Sequence, residues 1–153
     1  MANTYTKIYL HIIFAVKNSN SLIPAIHLRD IHAYISGILK NHGHYVYAIG
    51  GIDSHVHILI GYNINQSIPD LVRDIKSSTT TYIKSKHIIP YRFEWQAGYG
   101  CFSYSRSQLS AVSNYVNNQN EHHKSMSLTD EIKSILAKFD IEFDERYIIN
   151  DPQ

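Results

Sequence analysis

Apolar and polar side chains alternate along the first part of the chain. From Thr4 to Val16 this alternation predicts a long strand with one buried face and one polar, aromatic face. Tyr45 to Ile52 predicts a second strand. The stretch Asp53 to Gly61 predicts a third, and its short glycine-rich connection to the second, Gly50 to Ser54, indicates an antiparallel hairpin. The buried face of the first strand would carry Thr6, Ile8, Leu10, Ile12, Phe14 and Val16.

Apolar residues at helical spacing separate and follow these strands. They predict a helix from about Ala25 to Asn41, and another that begins at Ser67 with Pro69 in its first turn. A fourth strand is expected from about Tyr99 to Tyr104. Two C-terminal helices should follow, at Ser107–His122 and from Ser127 to about Phe139. The acidic tail, residues 141–153, is expected to end loosely.

The order of these elements is β-α-β-β-α-β-α-α. The first six match the split βαβ, or ferredoxin-like, arrangement. We therefore predict an α+β fold with helices on one face of an antiparallel sheet, plus C-terminal helices. The length of 153 residues suits one domain. Its core would span about 4–122, and the C-terminal helix and acidic tail about 127–153.

Composition excludes several classes of protein. The chain is 44% hydrophobic and 18% charged, which is typical of a globular protein. It contains no run of 18 apolar residues and no signal-peptide pattern, so we expect no membrane span and no secretion. Cys101 is the only cysteine, which fits the reducing cytoplasm. No P-loop or Gly-x-Gly-x-x-Gly motif is present, so no nucleotide cofactor is expected.

The net charge of +1 hides an asymmetry along the chain. Residues 1–120 carry ten Lys and Arg against five Asp and Glu, whereas residues 121–153 carry four against eight. A polyanion should therefore meet the first 120 residues. Arg73, Lys76 and Lys84 on the second predicted helix are candidates for binding DNA phosphates. An ordinary solvated helix face is the alternative explanation for each of them.

The third strand carries the main candidate for chemistry. Because side chains alternate in a strand, His55 and His57 point to the same face. A single His-x-His is a weak signal, and common classes that use it do not fit. The chain is too short for a barrel hydrolase, Leu59 stands where a histidine-triad protein needs its third histidine, and a zinc carrier would need cysteines or another nearby histidine. What remains is a metal site completed from elsewhere in the chain, or from another chain.

A possible second half of this site lies on the predicted helix at 107–122. Tyr115 and Gln119 are four residues apart and therefore share a helix face. Gln119 could supply an amide oxygen to a metal. Tyr115 could act as a nucleophile, and a tyrosyl phosphodiester would roughly conserve the energy of the broken bond. Spacing alone does not distinguish Tyr115 from the other eleven tyrosines of the chain.

Several separated motifs together resemble the single-tyrosine HUH transposases of the IS200-like type. These enzymes move small bacterial insertion sequences as single-stranded DNA. HUH denotes His-hydrophobe-His, here His55-Val56-His57. The resemblance covers nearly the whole chain and rests also on Tyr9–Phe14, Ile75–Ser78, Trp95–Ser103, Tyr115–His123 and Phe143–Tyr147.

The resemblance implies a transposase that cleaves and rejoins single-stranded DNA at hairpin-bearing element ends. His55, His57 and Gln119 would hold Mg²⁺ or Mn²⁺, and Tyr115 would form a 5′-phosphotyrosine intermediate. The resemblance also implies a homodimer in which each site takes its histidines from one subunit and its tyrosine helix from the other. Ser54 stands where the family commonly has an acidic residue. His122 and His123 match the family pattern, and we interpret them as structural or close to DNA, not as ligands.

Two other functions fit the same residues. A ferredoxin-like sheet can bind RNA or single-stranded DNA through exposed aromatic side chains, without catalysis. Tyr5, Tyr9, Tyr45 and Tyr47 are candidates for such contacts. A domesticated descendant that binds and nicks repeat DNA without transposing is the other possibility.

Overall fold

A computed structural model describes residues 2–153 as an α+β fold built on one four-stranded antiparallel sheet. The spatial order of the strands is β2-β3-β1-β4. This order and the two crossing helices confirm the ferredoxin-like prediction. The strands are β1 (Tyr9–Ala15), β2 (Tyr45–Ile52), β3 (His55–Gly61) and β4 (Gly100–Tyr104). The helices are α1 (Ala25–Asn41), α2 (Ile68–Ser85), α3 (Leu109–Asn117), α4 (Gln119–His122) and α5 (Leu128–Lys138), with 3₁₀ turns at Ser19–Ser21 and Arg106–Gln108.

The sheet is buried on both faces. Alternate residues of β1 and β3 pack with α1 and α2 on one face. On the other face, α5 packs against Ile13 and Ala15, and α3 packs against Ala48 and Leu59. The C-terminal helices therefore form a second layer, which leaves the sheet between two helical layers.

This second layer covers the polar, aromatic face that was predicted for the first strand. Tyr9 is 6% exposed and His11 is fully buried. The strand is also shorter than predicted. Its pairing with β3 and β4 begins at Tyr9, and residues 4–7 are exposed. A buried histidine in the middle of a sheet needs a polar partner, and His11 has one at the candidate site.

The predicted helix at 107–122 is wrong in one respect, because it is interrupted. Helix α3 ends at Asn117, and Asn118 adopts φ −109° and ψ 31° before α4 begins at Gln119. The N–H of Asn118 bonds to the carbonyl of Tyr115 instead of one residue further back. Asparagine is a poor former of helix interiors, which explains why the break occurs here.

The turn between β2 and β3 is tighter than the glycine-rich stretch suggested. Only Asp53 and Ser54 connect the two strands, and both glycines lie inside β2. Gly50 faces α3, where a Cβ atom would lie 1.9 Å from the carbonyl oxygen of Val116. Glycine at this position therefore allows the backbone of α3 to lie directly on the sheet.

The prediction that the tail ends loosely is wrong. The Asp151 carboxylate accepts hydrogen bonds from the backbone N–H groups of Leu128 and Thr129 and from the Thr129 hydroxyl. It therefore caps the N-terminus of α5, where a negative charge is favourable. Ile148 and Ile149 pack against the apolar cluster beneath α5. Among residues 2–153, no helix combines the length and apolarity that a membrane crossing requires.

Candidate metal and nucleophile site

Both histidines of β3 face the C-terminal helices with the same ring nitrogen. Nδ1 of His55 lies 2.9 Å from the hydroxyl of Ser54, and Nδ1 of His57 lies 2.7 Å from Nε2 of His11. Each ring is therefore held through Nδ1, and each Nε2 points toward a common centre. Orientation by a hydrogen bond on the far ring nitrogen is characteristic of metal-binding histidines.

The segment after the break at Asn118 brings two further donors to this centre. The side-chain oxygen of Gln119 lies 3.1 Å from Nε2 of His55 and 3.0 Å from Nε2 of His123. His123 donates from Nδ1 to the carbonyl of Met126 at 2.7 Å. Because a carbonyl can only accept, the neutral ring carries its proton on Nδ1, and the Nε2 lone pair faces the centre.

Helix α5 supplies a carboxylate to the same centre. Glu131 is 1% exposed. Its Oε1 lies 3.2 Å from Nε2 of His57, 3.2 Å from Nε2 of His123 and 3.5 Å from Nε2 of His55. Its Oε2 lies 3.1 Å from Nε2 of His122. Three imidazoles and one carboxylate thus present donor atoms that all lie within 4.8 Å of one another.

Tyr115 reaches this cluster from α3. Its hydroxyl donates to Oε2 of Glu131, and its ring centroid lies 5.6 Å from that of His57. The side-chain amide of Gln119 donates to the backbone carbonyl of Tyr115 at 3.2 Å, and this hydrogen bond holds the Gln119 side chain next to α3. A cavity of about 330 Å³ between α3 and α5 is lined by Tyr115, His122 and Glu131. All of these side chains converge within the single chain that the structure describes.

The electrostatics favour a charged Glu131 carboxylate with neutral His11 and His57 rings. Burial lowers the pKa of His57 to about 4 and the pKa of His11 to about 3. Burial opposes ionisation of Glu131, but hydrogen bonds from His123, His55 and His57 hold its pKa below the usual range. Burial also acts against the charged form of His123, yet its contacts with Glu131 raise its pKa overall. Burial and the neighbouring Glu131 raise the pKa of Tyr115.

The donor set fits a divalent metal. Adjacent ligands around a metal with bonds of about 2.1 Å lie about 3.0 to 3.4 Å apart. The contacts of the imidazole Nε2 atoms with the Gln119 and Glu131 oxygens range from 3.0 to 3.5 Å. Imidazole nitrogens with amide and carboxylate oxygens are suitable ligands for first-row metals such as Mn²⁺.

The three predicted phosphate-binding residues line a different feature, a groove of about 1150 Å³ between α2 and the segment 87–99. The ammonium of Lys76 donates to two backbone carbonyls of the 96–98 turn, at 2.9 and 2.7 Å, which favours a structural role. Arg73 pairs with two aspartates of α2 at 3.1 and 3.6 Å. Lys84 forms no ion pair within residues 2–153. Their binding to DNA stays a prediction.

Sequence reasoning named four residues that the fold brings together: His55, His57, Tyr115 and Gln119. It missed the partner role of His11, the presence of His123 among the donors, and Glu131. His11 stands in the alternating pattern of β1, and His123 follows the tyrosine motif. His11 was therefore visible but unassigned, whereas His123 was interpreted as structural or close to DNA and not as a ligand. Glu131 gave no signal, because it lies in the first turn of an amphipathic helix where acidic residues are common.

The tyrosines considered for base stacking differ in exposure. Tyr5 is 89% exposed and Tyr45 66%, whereas Tyr9 is buried. Tyr9 packs edge-on against Tyr47, with ring centroids 5.7 Å apart. Stacking of nucleic-acid bases on Tyr9 would therefore require a rearrangement of the sheet surface.

Comparisons with known proteins agree with this architecture. The sequence profile of the family described as "Transposase IS200 like" matches residues 4–119. One solved structure, described as a putative transposase from Deinococcus radiodurans R1, is 20% identical with a TM-score of 0.59, over 78% of this chain and 95% of that one. A REP-associated tyrosine transposase bound to a REP hairpin is 13% identical with a TM-score of 0.61, over 85% of this chain and 78% of that one. None of the curated protein sequences matches.

At these identities the two solved structures support the fold alone. The profile, by contrast, extends from Thr4, before β1, to Gln119 and includes both histidines of β3 and Tyr115. It covers well over half of the sequence. The chain therefore belongs to the IS200-like transposase family.

Proposed function

We propose that the protein is a transposase that cleaves and rejoins single-stranded DNA through a covalent link to Tyr115. A divalent metal, Mn²⁺ or Mg²⁺, would be held by His55, His57 and Gln119. The observation that carries this proposal is the convergence of the Tyr115 hydroxyl and the imidazole Nε2 atoms on one buried centre. A structural tyrosine would not need a cluster of metal-binding groups beside its hydroxyl.

The residues suggest how the reaction would proceed. A bound metal would stabilise the negative charge that builds on the scissile phosphate. Tyr115 loses its proton as its oxygen bonds to phosphorus. The bond from phosphorus to the 3′ oxygen breaks, and that oxygen takes up a proton. The products are a 5′-phosphotyrosine and a free 3′-hydroxyl, and attack by a 3′-hydroxyl reverses the step without an external energy source.

The cavity between α3 and α5 is a suitable route for the scissile strand, because it opens onto Tyr115 and Glu131. Hairpin DNA as the substrate is supported by the REP-associated neighbour, which is bound to a REP hairpin, and by the positive balance of residues 1–120. The family resemblance implies a homodimer. Convergence of the site within one chain favours cleavage in cis, whether or not two chains associate.

The test is a cleavage assay on single-stranded DNA that carries the hairpins flanking the gene, with Mn²⁺, Mg²⁺ or EDTA. We expect a metal-dependent protein–DNA adduct on a denaturing gel. Tyr115→Phe should form no adduct but bind the hairpin within about twofold of wild type, because only the hydroxyl is removed. Tyr5→Phe, on an exposed tyrosine, is the matched control and should retain the adduct.

An adduct that persists in Tyr115→Phe would show that another residue is the nucleophile. Tight hairpin binding without any adduct in the wild-type protein would favour the non-catalytic binding function over the transposase.

A further inference from the structure

We propose that Glu131 is itself a ligand of the metal and joins the metal to the nucleophile. This inference rests on the proposed function, because it concerns the same centre. It goes beyond that function, since Glu131 belongs to α5, outside the residues that the family profile matches. The metal site would then be built from β3, α4 and the C-terminal layer together.

The first step is the burial of the carboxylate. Glu131 is 1% exposed, and all its ion-pair contacts within residues 2–153 are with histidines. No Lys or Arg of the described chain pairs with it. A buried carboxylate is costly unless a positive charge or several hydrogen bonds compensate it. A divalent cation at the centre would supply that charge.

The second step concerns the lone pairs. Ser54, His11 and Met126 each occupy the Nδ1 atom of one of the three imidazoles. For His123 the Met126 carbonyl places the proton of the neutral ring on Nδ1, so its Nε2 lone pair faces Oε1 of Glu131, which also carries lone pairs. These two atoms repel one another at 3.2 Å unless a proton or a cation lies between them. A divalent cation at the centre would remove this repulsion and could be coordinated by the three imidazoles and the carboxylate, whose donor atoms all lie within 4.8 Å of one another.

The third step concerns the different contacts of the two carboxylate oxygens of Glu131. Oε1 faces the imidazoles, whereas Oε2 accepts the hydrogen bond from the Tyr115 hydroxyl. A carboxylate that binds the metal through one oxygen would therefore hold the nucleophile beside that metal through the other. Glu131 would act as a ligand and as a positioning residue for Tyr115.

This assignment also bears on which metal is bound. A carboxylate reduces the net charge of a divalent centre, and three imidazoles add nitrogen donors that Mg²⁺ accepts poorly. A site that includes His123 and Glu131 should therefore bind Mn²⁺ or Co²⁺ more tightly than Mg²⁺.

The experiment is a calorimetric titration of the full chain with MnCl₂. Glu131→Gln, which keeps the size of the side chain, should weaken the Kd for Mn²⁺ at least tenfold. Asp130→Asn is the matched control, because Asp130 is exposed on the same turn of α5, and its Kd should stay within about twofold. Tyr115→Phe should also bind Mn²⁺ nearly as tightly as wild type, because Tyr115 is not a ligand.

Unchanged or tighter Mn²⁺ binding by Glu131→Gln would overturn the inference. Tighter binding would mean that the carboxylate competes with the metal for the imidazoles. If thermal unfolding in EDTA shows that Glu131→Gln does not fold, Glu131→Asp decides, because it keeps the charge but withdraws the oxygens by one methylene. Its Kd should also rise, and an unchanged value would count against the ligand role.

The two proposals can fail separately. If wild type forms the Tyr115 adduct while Glu131→Gln binds Mn²⁺ like wild type, only the assignment of Glu131 fails. If Mn²⁺ binding depends on Glu131 but wild type forms no adduct on hairpin DNA, only the proposed function fails.

Discussion

The hydrogen bond to Nδ1, the ring nitrogen that faces away from the centre, sets the orientation of each histidine in the site. Serine, histidine and carbonyl partners hold the three Nδ1 atoms at 2.7 to 2.9 Å, so the Nε2 atoms are free to coordinate. This explains how Ser54 suits the site although the family commonly has an acidic residue there. Ser54 bonds to the ring of His55 and does not need to touch a metal.

His11 is the partner whose removal tests this orientation most directly. His11→Phe keeps an aromatic ring beside Phe102 and Tyr104, but the 2.7 Å hydrogen bond to His57 is lost. Loss of such a partner typically costs about 10- to 100-fold in metal affinity. We expect the Kd for Mn²⁺, measured by calorimetry, to rise at least tenfold.

His32→Phe serves as the comparison for this variant, because His32 lies on α1, which packs on the opposite face of the sheet. It should leave the Kd for Mn²⁺ unchanged. Equal metal affinity in wild type and His11→Phe would mean that His57 does not depend on His11 for its orientation.

For individual residues, the sequence predicts those that belong to a motif. It does not predict those that only tertiary packing brings to the site. His55 and His57 follow from strand alternation, and Tyr115 with Gln119 from helical spacing and family resemblance. Glu131 is twelve residues beyond Gln119, on a separate helix. Only the packing of α5 against the sheet brings it to the histidines, and no local pattern encodes that packing.

Among the elements, the junction of α3 with β2 leaves no space for an added side-chain atom at Gly50. Gly50 lets the backbone of α3 lie against the strand, and Tyr115 immediately precedes the residue in contact, Val116. The sequence suggested a turn at this glycine pair. The actual reason for Gly50 is close approach of a helix, which depends on a contact between residues 66 positions apart and is therefore invisible to local rules.

Gly50→Ala should move the nucleophile. The new Cβ would lie 1.9 Å from a backbone oxygen, so α3 has to shift by more than an ångström. Overpacking of this kind typically costs about 1–3 kcal/mol of stability, and a misplacement of about 1 Å can cost about 100-fold in rate. We expect a lower urea midpoint and an adduct rate reduced about 100-fold.

Gly37→Ala is the matched glycine control, because a Cβ on this residue of α1 meets no atom within 4 Å. It should stabilise the protein by about 0.5–1 kcal/mol, since alanine is the better helix former, and leave the adduct rate unchanged. A wild-type adduct rate in Gly50→Ala would show that close packing of α3 is not needed for catalysis.

Across the whole molecule, the periodic patterns correctly predicted the ferredoxin-like core but not the second helical layer. Nothing in the alternation of β1 distinguishes a solvated polar face from one that is covered by a later helix. The acidic tail likewise looked unstructured, yet Asp151 caps α5 and so supports the element that carries Glu131. The C-terminal quarter thus brings Glu131 to the candidate site, although the family profile ends before it.

The distribution of charge over the molecule leads to a prediction about DNA. The groove between α2 and the segment 87–99 carries Arg73, Lys84 and Arg92, and Lys84 is the one of these three without an ion pair among residues 2–153. If the DNA backbone lies in this groove, Lys84 should neutralise one phosphate. Lys84→Ala should then weaken hairpin binding a few-fold and reduce the slope of log K against log salt by about 0.7 to 0.9.

Fluorescence anisotropy with a labelled hairpin, repeated from low to moderate salt, measures both quantities. Lys133→Ala is the control, because Lys133 pairs with Glu145 at 3.0 Å in the acidic C-terminal part of the chain. It removes the same charge but should leave the slope unchanged, since that part should face away from the polyanion. Equal slopes for Lys84→Ala and wild type would place the DNA elsewhere. If both variants lose the same hairpin affinity, only the net charge of the molecule matters and the groove has no specific role in binding.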